Sequence, residues 1–222
     1  MRIRLQLSPN TEPVPFSHLY SLTGTLHKWL GENSIHDGVS LYSFGWLRGG
    51  RSEKKALSFS QGAYWNISFF DDDLSRQLIK GILKEPSVAY GMYVEEIQEV
   101  EPTGFHKQHI FYTDGSAILA RQKRVDGSQE YLSWDSLAAN EALTNKLRWK
   151  LSQAGFTGDH LNARVAFDRT YTNPRSRKIT IKDIDHKGSE CPVIVEGTPE
   201  ALHFAWLVGL GDLTGSGFGA LR

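Results

Sequence analysis

The chain has 222 residues, 25 basic and 25 acidic side chains balancing to no formal net charge, 40% hydrophobic and 23% charged content. These are ordinary globular values that exclude global disorder and a coiled coil, and zero net charge means that any polyanion site must arise from local segregation of charge. A single cysteine, Cys191, excludes an intrachain disulfide and a cysteine-rich zinc site; with no signal peptide at Met1-Arg2-Ile3-Arg4 and no stretch apolar enough for a membrane span, a cytoplasmic protein without a membrane partner is expected.

Ile3, Leu5 and Leu7 alternate with Arg2, Arg4 and Gln6, which predicts a half-buried first strand, ended by Pro9, Pro13 and Pro15. Between Phe16 and Leu30 the residues Leu19, Leu22, Leu26, Trp29 and Leu30 recur at helical spacing, and Gly31 and Asn33 suit the helix end. Ser40 to Leu47 and Leu57 to Phe70 are rich in apolar and aromatic residues and read as strands around a polar turn, Arg48 to Lys55. Asp71-Asp72-Asp73 suits the positive end of a second helix, Leu74 to Leu83, stopped before Pro86. An acidic strand follows within Val88 to Val100. The order βαββαβ predicts a ferredoxin-like unit over residues 1–101.

Pro102-Thr103-Gly104 marks a linker, taken as 102–108, after which the same order recurs less regularly over 109–222. Ile110 to Arg121, Val125 to Leu132, Asn162 to Asp168 and Lys178 to Ile184 read as extended. Asp135 to Leu151 reads as a helix through Leu137, Leu143, Leu147 and Leu151, and Ala201 to Val208 as a short apolar one. The fold class expected is therefore α+β, a tandem of ferredoxin-like (RRM-like, βαββαβ) domains, the second ending in a glycine-rich loop.

That loop, Gly209-Leu210-Gly211-Asp212-Leu213-Thr214-Gly215-Ser216-Gly217-Phe218-Gly219, holds five glycines. Such a density is tolerated where positive φ or close backbone approach is required, and exposed N–H groups in such a loop make an anion-binding concavity. The loop lacks the Gly-Lys-Ser/Thr ending that cradles a nucleoside triphosphate. Phe218 is expected to anchor it by packing. Charge segregates nearby: from Arg164 to Lys187 seven basic residues face three acidic ones, and Arg175, Arg177, Lys178 and Lys182 fall on a predicted hairpin able to track RNA phosphates. Arg121, Lys123 and Arg124 form a second basic cluster. His106 and His109 have ligand-like spacing, but residues three apart on a strand point to opposite faces, so no metal is expected.

The terminal stretch, Gly209-Leu210-Gly211 followed after five residues by Gly217-Phe218-Gly219, resembles the glycine-rich signature of the CRISPR repeat-processing endoribonucleases of the RAMP superfamily. The tandem ferredoxin-like order, a histidine near the first helix and the strand Leu41-Tyr42-Ser43-Phe44 agree with that family. The resemblance implies cleavage of CRISPR repeat RNA without metal or other cofactor, by 2′-hydroxyl attack leaving a 2′,3′-cyclic phosphate. It places an acid and a base on the first helix and the loop after it, positions that fall on His27 and His36. A lysine serves in some members; Ser40 stands roughly at its place here, with Lys28, Arg48 and Lys54 as substitutes. The glycines Gly209, Gly211, Gly215, Gly217 and Gly219 are expected to face RNA. Other CRISPR effector subunits and a homodimer are further partners the resemblance admits.

The residues support that chemistry on their own terms. An imidazole with an unperturbed pKa near ~6.5 can accept or donate a proton around neutral pH. His27 sits beside the apolar stripe of its helix, with Thr23, Gly24 and Gly31 as helical neighbours that leave space over the ring. Tyr20, two turns earlier, shares that face. Two other readings remain: a non-catalytic RNA-binding RAMP subunit, and a cyclic phosphodiesterase, whose paired His-x-Thr/Ser signature is missing at His27, His36 and His203.

Overall fold

A computed structural model describes residues 1–33, 35, 38–102 and 104–222. The first half runs β1 (Arg2–Leu7), α1 (Leu19–Leu30), β2 (Tyr42–Phe44), β3 (Arg51–Glu53), β4 (Ala56–Ser58), β5 (Ala63–Phe69), α2 (Asp72–Lys84) and β6 (Val94–Glu99). Its four-stranded sheet has the order β2-β5-β1-β6, antiparallel throughout. This is the ferredoxin-like arrangement with one small hairpin, β3–β4, inserted where the sequence suggested a plain polar turn.

The apolar stripe dictates how α1 lies. Leu19, Leu22, Leu26, Trp29 and Leu30 are buried against the sheet, and the helix ends at Gly31, whose φ of 62° suits glycine. Asp71 caps α2 by accepting the Asp73 N–H at 2.8 Å, so the acidic run stands where the helix dipole favours it. The poor alternation in β6 follows from its place at the sheet edge, where Glu95, Glu96 and Glu99 face solvent and discourage edge pairing.

The second half repeats the plan with two insertions. It runs β7 (Gln108–Phe111), β8 (Ala120–Lys123), β9 (Gln129–Leu132), α3 (Leu137–Gln153), β10 (Arg164–Phe167), β11 (Arg175–Ile181), β12 (Ile184–Glu190), β13 (Val193–Glu196) and α4 (Pro199–Val208). The sheet order is β10-β13-β7. The last residues complete it: the Tyr112 and Arg222 backbones exchange hydrogen bonds of 3.2 and 2.8 Å, and Asp114 N–H donates to Ala220 O. The terminal three residues thus take the place of a fourth strand, which three residues without visible alternation could not announce. The hairpins β8–β9 and β11–β12 are the insertions.

Two buried clusters fill the two halves, and the joint between them is closely packed. Phe218, fully buried, enters the first cluster together with Ala117, Leu119 and Ile179. Arg2, expected on the open side of β1, is instead buried: it donates to Ser68 Oγ and to the Trp206 carbonyl, and its guanidinium lies 3.7 Å from the Trp206 ring centroid. The second half covers that face. Among the described residues, no helix is long and apolar enough to cross a membrane.

Candidate active site

His27 is half-buried and lies on the same side of α1 as the exposed Tyr20 and Gly24. A cleft of about 640 Å³ opens there, and its walls come from both halves of the chain. Tyr20, Ser21, Thr23, Gly24 and His27 of α1 form one side, with Ile35, Gly38, Ser40 and Tyr42 following. Ile181 and Lys182 of the β11–β12 hairpin, and Gly215 and Ser216 of the glycine-rich stretch, form the other. Gly24 makes the floor accessible: a Cβ placed on it would meet nothing within 4 Å.

The expected basic hairpin forms, and its turn is what reaches the cleft. Lys182 and Asp183 make a two-residue turn with φ of 47° and 63°, the positive-φ pair of a type I′ hairpin. Lys182 Nζ lies 4.9 Å from the Tyr20 ring centroid, a cation–π contact at the cleft mouth. Arg177 is paired with Glu190 (Nε to Oε2 2.7 Å) and Lys178 with Asp185 (2.7 Å), while Arg175 is exposed at the far end of the hairpin. The hairpin thus presents one cation to the cleft and carries others along its outer length.

The glycines Gly209, Gly211, Gly215, Gly217 and Gly219 do not form the open anion loop expected of them. All but Gly215 stand away from the cleft lining, and all five are buried. Gly209 N–H donates to Ala205 O, Gly217 N–H to Thr214 O and Gly219 N–H to Ala117 O, so these donors are already engaged within the protein. What the glycines supply is close approach. A Cβ on Gly217 would sit 2.9 Å from Leu19 and Phe44 side-chain carbons, and one on Gly209 2.7 Å from the Gly219 carbonyl. Phe218 is the packed anchor that the sequence suggested.

Tyr42 ties this joint to the cleft. Its hydroxyl donates to Gly215 O at 3.3 Å, and burial pushes its pKa up to about 12, so at neutral pH it is a hydrogen-bond donor and not a base. Ser43 Oγ donates to Leu207 O of α4 at 2.8 Å and Trp46 Nε1 to Gly217 O at 2.8 Å, holding α4 and the glycine-rich stretch on the first half. Tyr42 and Ser216 lie in two stretches that the sequence marks, the Leu41-Tyr42-Ser43-Phe44 strand and the glycine-rich loop, but nothing local to either marks its side chain as a cleft residue.

Of the remaining expectations, His36 lies outside the described residues, while Ile35 and Gly38 line the cleft. Lys28 is held elsewhere, by Glu85 (3.0 Å) and by the Ser87 carbonyl and hydroxyl (2.8 Å each). Arg48 pairs with buried Asp114 at 3.0 Å, and Lys54 sits in the β3–β4 turn. Arg121 pairs with Asp212 at 3.1 Å beside a different pocket, which Lys146 and Trp149 also line, and Arg124 pairs with Glu130. Among the described residues no group of three or more His, Cys, Asp or Glu side chains is placed to hold a metal; His109 packs against the Phe111 ring at 4.5 Å.

Two ferredoxin-like units in tandem meet at a glycine-rich joint beside the cleft that His27 lines. The family model described as CRISPR associated protein Cas6, C-terminal, matches residues 97–222, more than half of the chain, and the chain belongs to the Cas6 family of CRISPR-associated proteins. Solved structures of the same fold include one described as the product of a Cas6-related gene from Pyrococcus furiosus (TM-score 0.87, 20% identity, 100% of this chain and 97% of that one). Another is described as a RAMP protein binding different RNA substrates (TM-score 0.86, 20% identity, 100% and 98%). A third is Thermus thermophilus Cse3 bound to an RNA representing a pre-cleavage complex (TM-score 0.54, 12% identity, 100% and 98%). No curated protein matches the chain.

Proposed function

We propose that this protein binds CRISPR repeat RNA and cleaves precursor CRISPR RNA within the repeat, without metal, by attack of the 2′-hydroxyl on the adjacent phosphate to leave a 2′,3′-cyclic phosphate. The observation that carries this reading is the cleft in which His27 of the first helix faces Lys182 of the basic hairpin and Gly215 of the glycine-rich stretch. An imidazole in an open cleft can move a proton to or from a ribose or phosphate-ester oxygen. His27 and His36 are the proposed proton-transfer pair. The hairpin residues Arg175, Arg177, Lys178 and Lys182 are the proposed phosphate-contacting set, and a solved structure of similar fold is described as bound to RNA. The glycines contribute by letting the two halves close up behind the cleft, Gly215 alone bordering the RNA path.

The test is single-turnover incubation with a labelled transcript of the repeat in the presence of chelator, alongside the same RNA carrying a 2′-deoxy substitution at the cut. Cleavage of the first only, with a cyclic phosphate at the new 3′ end, is the expected result. Binding of both without cleavage would instead identify a non-catalytic RNA-binding subunit.

A further inference from the structure

Attack by a 2′-oxygen concentrates negative charge on the non-bridging oxygens of the phosphate, and a cation fixed beside them stabilises that charge more than it stabilises the ground state. The described residues lining the cleft include one lysine or arginine, Lys182. The other candidates are placed elsewhere: Lys28 against Glu85 and Ser87, Arg48 against Asp114, and Lys54 on a different hairpin.

The local backbone is arranged around that side chain. A type I′ turn is most easily made by Asn-Gly, because both residues need positive φ, yet lysine occupies the first position at a φ of 47°. A non-glycine residue held there carries strain, and strain of this kind gathers where a side chain has work to do. The turn aims Lys182 over Tyr20, and Tyr20 and His27, seven residues apart on α1, lie on one helix face about 10 Å apart along the axis. Gly24 lies between them with open space above it. Gly24, His27 and Lys182 line one cleft, so a phosphate seated over Gly24 would occupy the space that both side chains border.

We infer that Lys182, delivered from the second half of the chain, is a catalytic residue that pairs with a non-bridging oxygen of the scissile phosphate. The inference rests on the endoribonuclease reading above. In the step it assists, the 2′-oxygen–phosphorus bond forms and the phosphorus–5′-oxygen bond breaks. The base takes the 2′-hydroxyl proton and the acid protonates the leaving 5′-oxygen; Lys182 exchanges no proton and supplies only its charge.

Three variants test it, Lys182→Gly, Lys182→Ala and Lys182→Arg, each assayed with labelled repeat RNA at saturating protein and, separately, for RNA affinity and thermal midpoint. Lys182→Gly suits the positive φ better than lysine, so its turn is retained while the ammonium is lost. The expected result is a single-turnover rate lowered about 10²-fold in the Gly and Ala variants, affinity changed by less than about threefold, an undiminished midpoint for Lys182→Gly, and recovery to within about tenfold of wild type in Lys182→Arg. Wild-type rates at saturation in Lys182→Gly overturn the inference and leave the nuclease reading standing, and a loss confined to affinity makes Lys182 an ordinary RNA contact. A wild-type protein that leaves the RNA intact overturns both.

Discussion

Gly215 lies directly beneath Tyr42: a Cβ added to the glycine would sit 2.6 Å from the Tyr42 hydroxyl oxygen and 3.0 Å from Ser40 Oγ. One wall of the cleft therefore depends on a hydrogen atom where any other residue has carbon. Gly215→Ala forces the strand or the loop to shift, and overpacking of this kind costs about 1–3 kcal/mol. The expected outcome is a lowered thermal midpoint together with slower RNA cleavage, read by calorimetry and a single-turnover assay on the same preparation. An unchanged midpoint would mean that the joint has slack that the contacts do not suggest.

His27→Ala removes an imidazole from an open cleft wall without disturbing the buried stripe of α1, since Leu26 and Leu30 carry the packing. Cleavage should slow by ~10² or more, the usual worth of a general acid or base, with RNA affinity nearly unchanged. Parallel losses of rate and affinity would assign His27 to binding.

Gly24 offers a test of the floor itself. Glycine inside a helix costs roughly 1 kcal/mol against alanine, and the space above it is empty. Gly24→Ala and Gly24→Leu should both raise the thermal midpoint, while Gly24→Leu fills the space between Tyr20 and His27 and blocks cleavage. A fully active Gly24→Leu protein would place the RNA elsewhere.

Lys150 makes a pH prediction. It is buried on α3 with its ammonium donating to Thr214 Oγ1 at 2.9 Å, and burial, assisted by Lys146, brings its pKa down from 10.5 to about 7 despite Asp212 nearby. Between those values the unfolded chain binds a proton that the folded chain does not, so this residue's contribution to stability rises as pH increases from about 7 to about 10.5. Thermal midpoints of wild type and Lys150→Met measured across that range should show the wild type gaining on the variant toward high pH; a constant difference would mean that Lys150 stays charged in the fold.

Much of the fold could be read from local pattern. The spacing of Leu19, Leu22, Leu26 and Leu30 sets α1 and its buried face, and β1, α2 and the acidic β6 follow from equally short-range signals. The cleft was legible only in part, because its two walls are joined through space. Lys182 is 155 positions from His27, and no local pattern tells which end of a basic hairpin meets α1. The glycines illustrate the same limit. Positive φ is readable from composition, but an exposed N–H nest and a tightly packed joint need the same residues. The difference lies in Tyr42, Leu119 and Leu19, the partners that close over Gly215, Gly211 and Gly217. Arg2 was misread for a related reason: its strand face looks solvent-exposed until Trp206 covers it.

Phe218 belongs by sequence to the second half and by packing to the first. The halves consequently share part of one core, and Ser43, Trp46 and Arg2 each reach across it. Neither can melt without exposing the other's interior, so heating should give one cooperative endotherm in which substitutions in either half move the same peak. The cleft then behaves as a feature of the whole chain, present or lost as a unit.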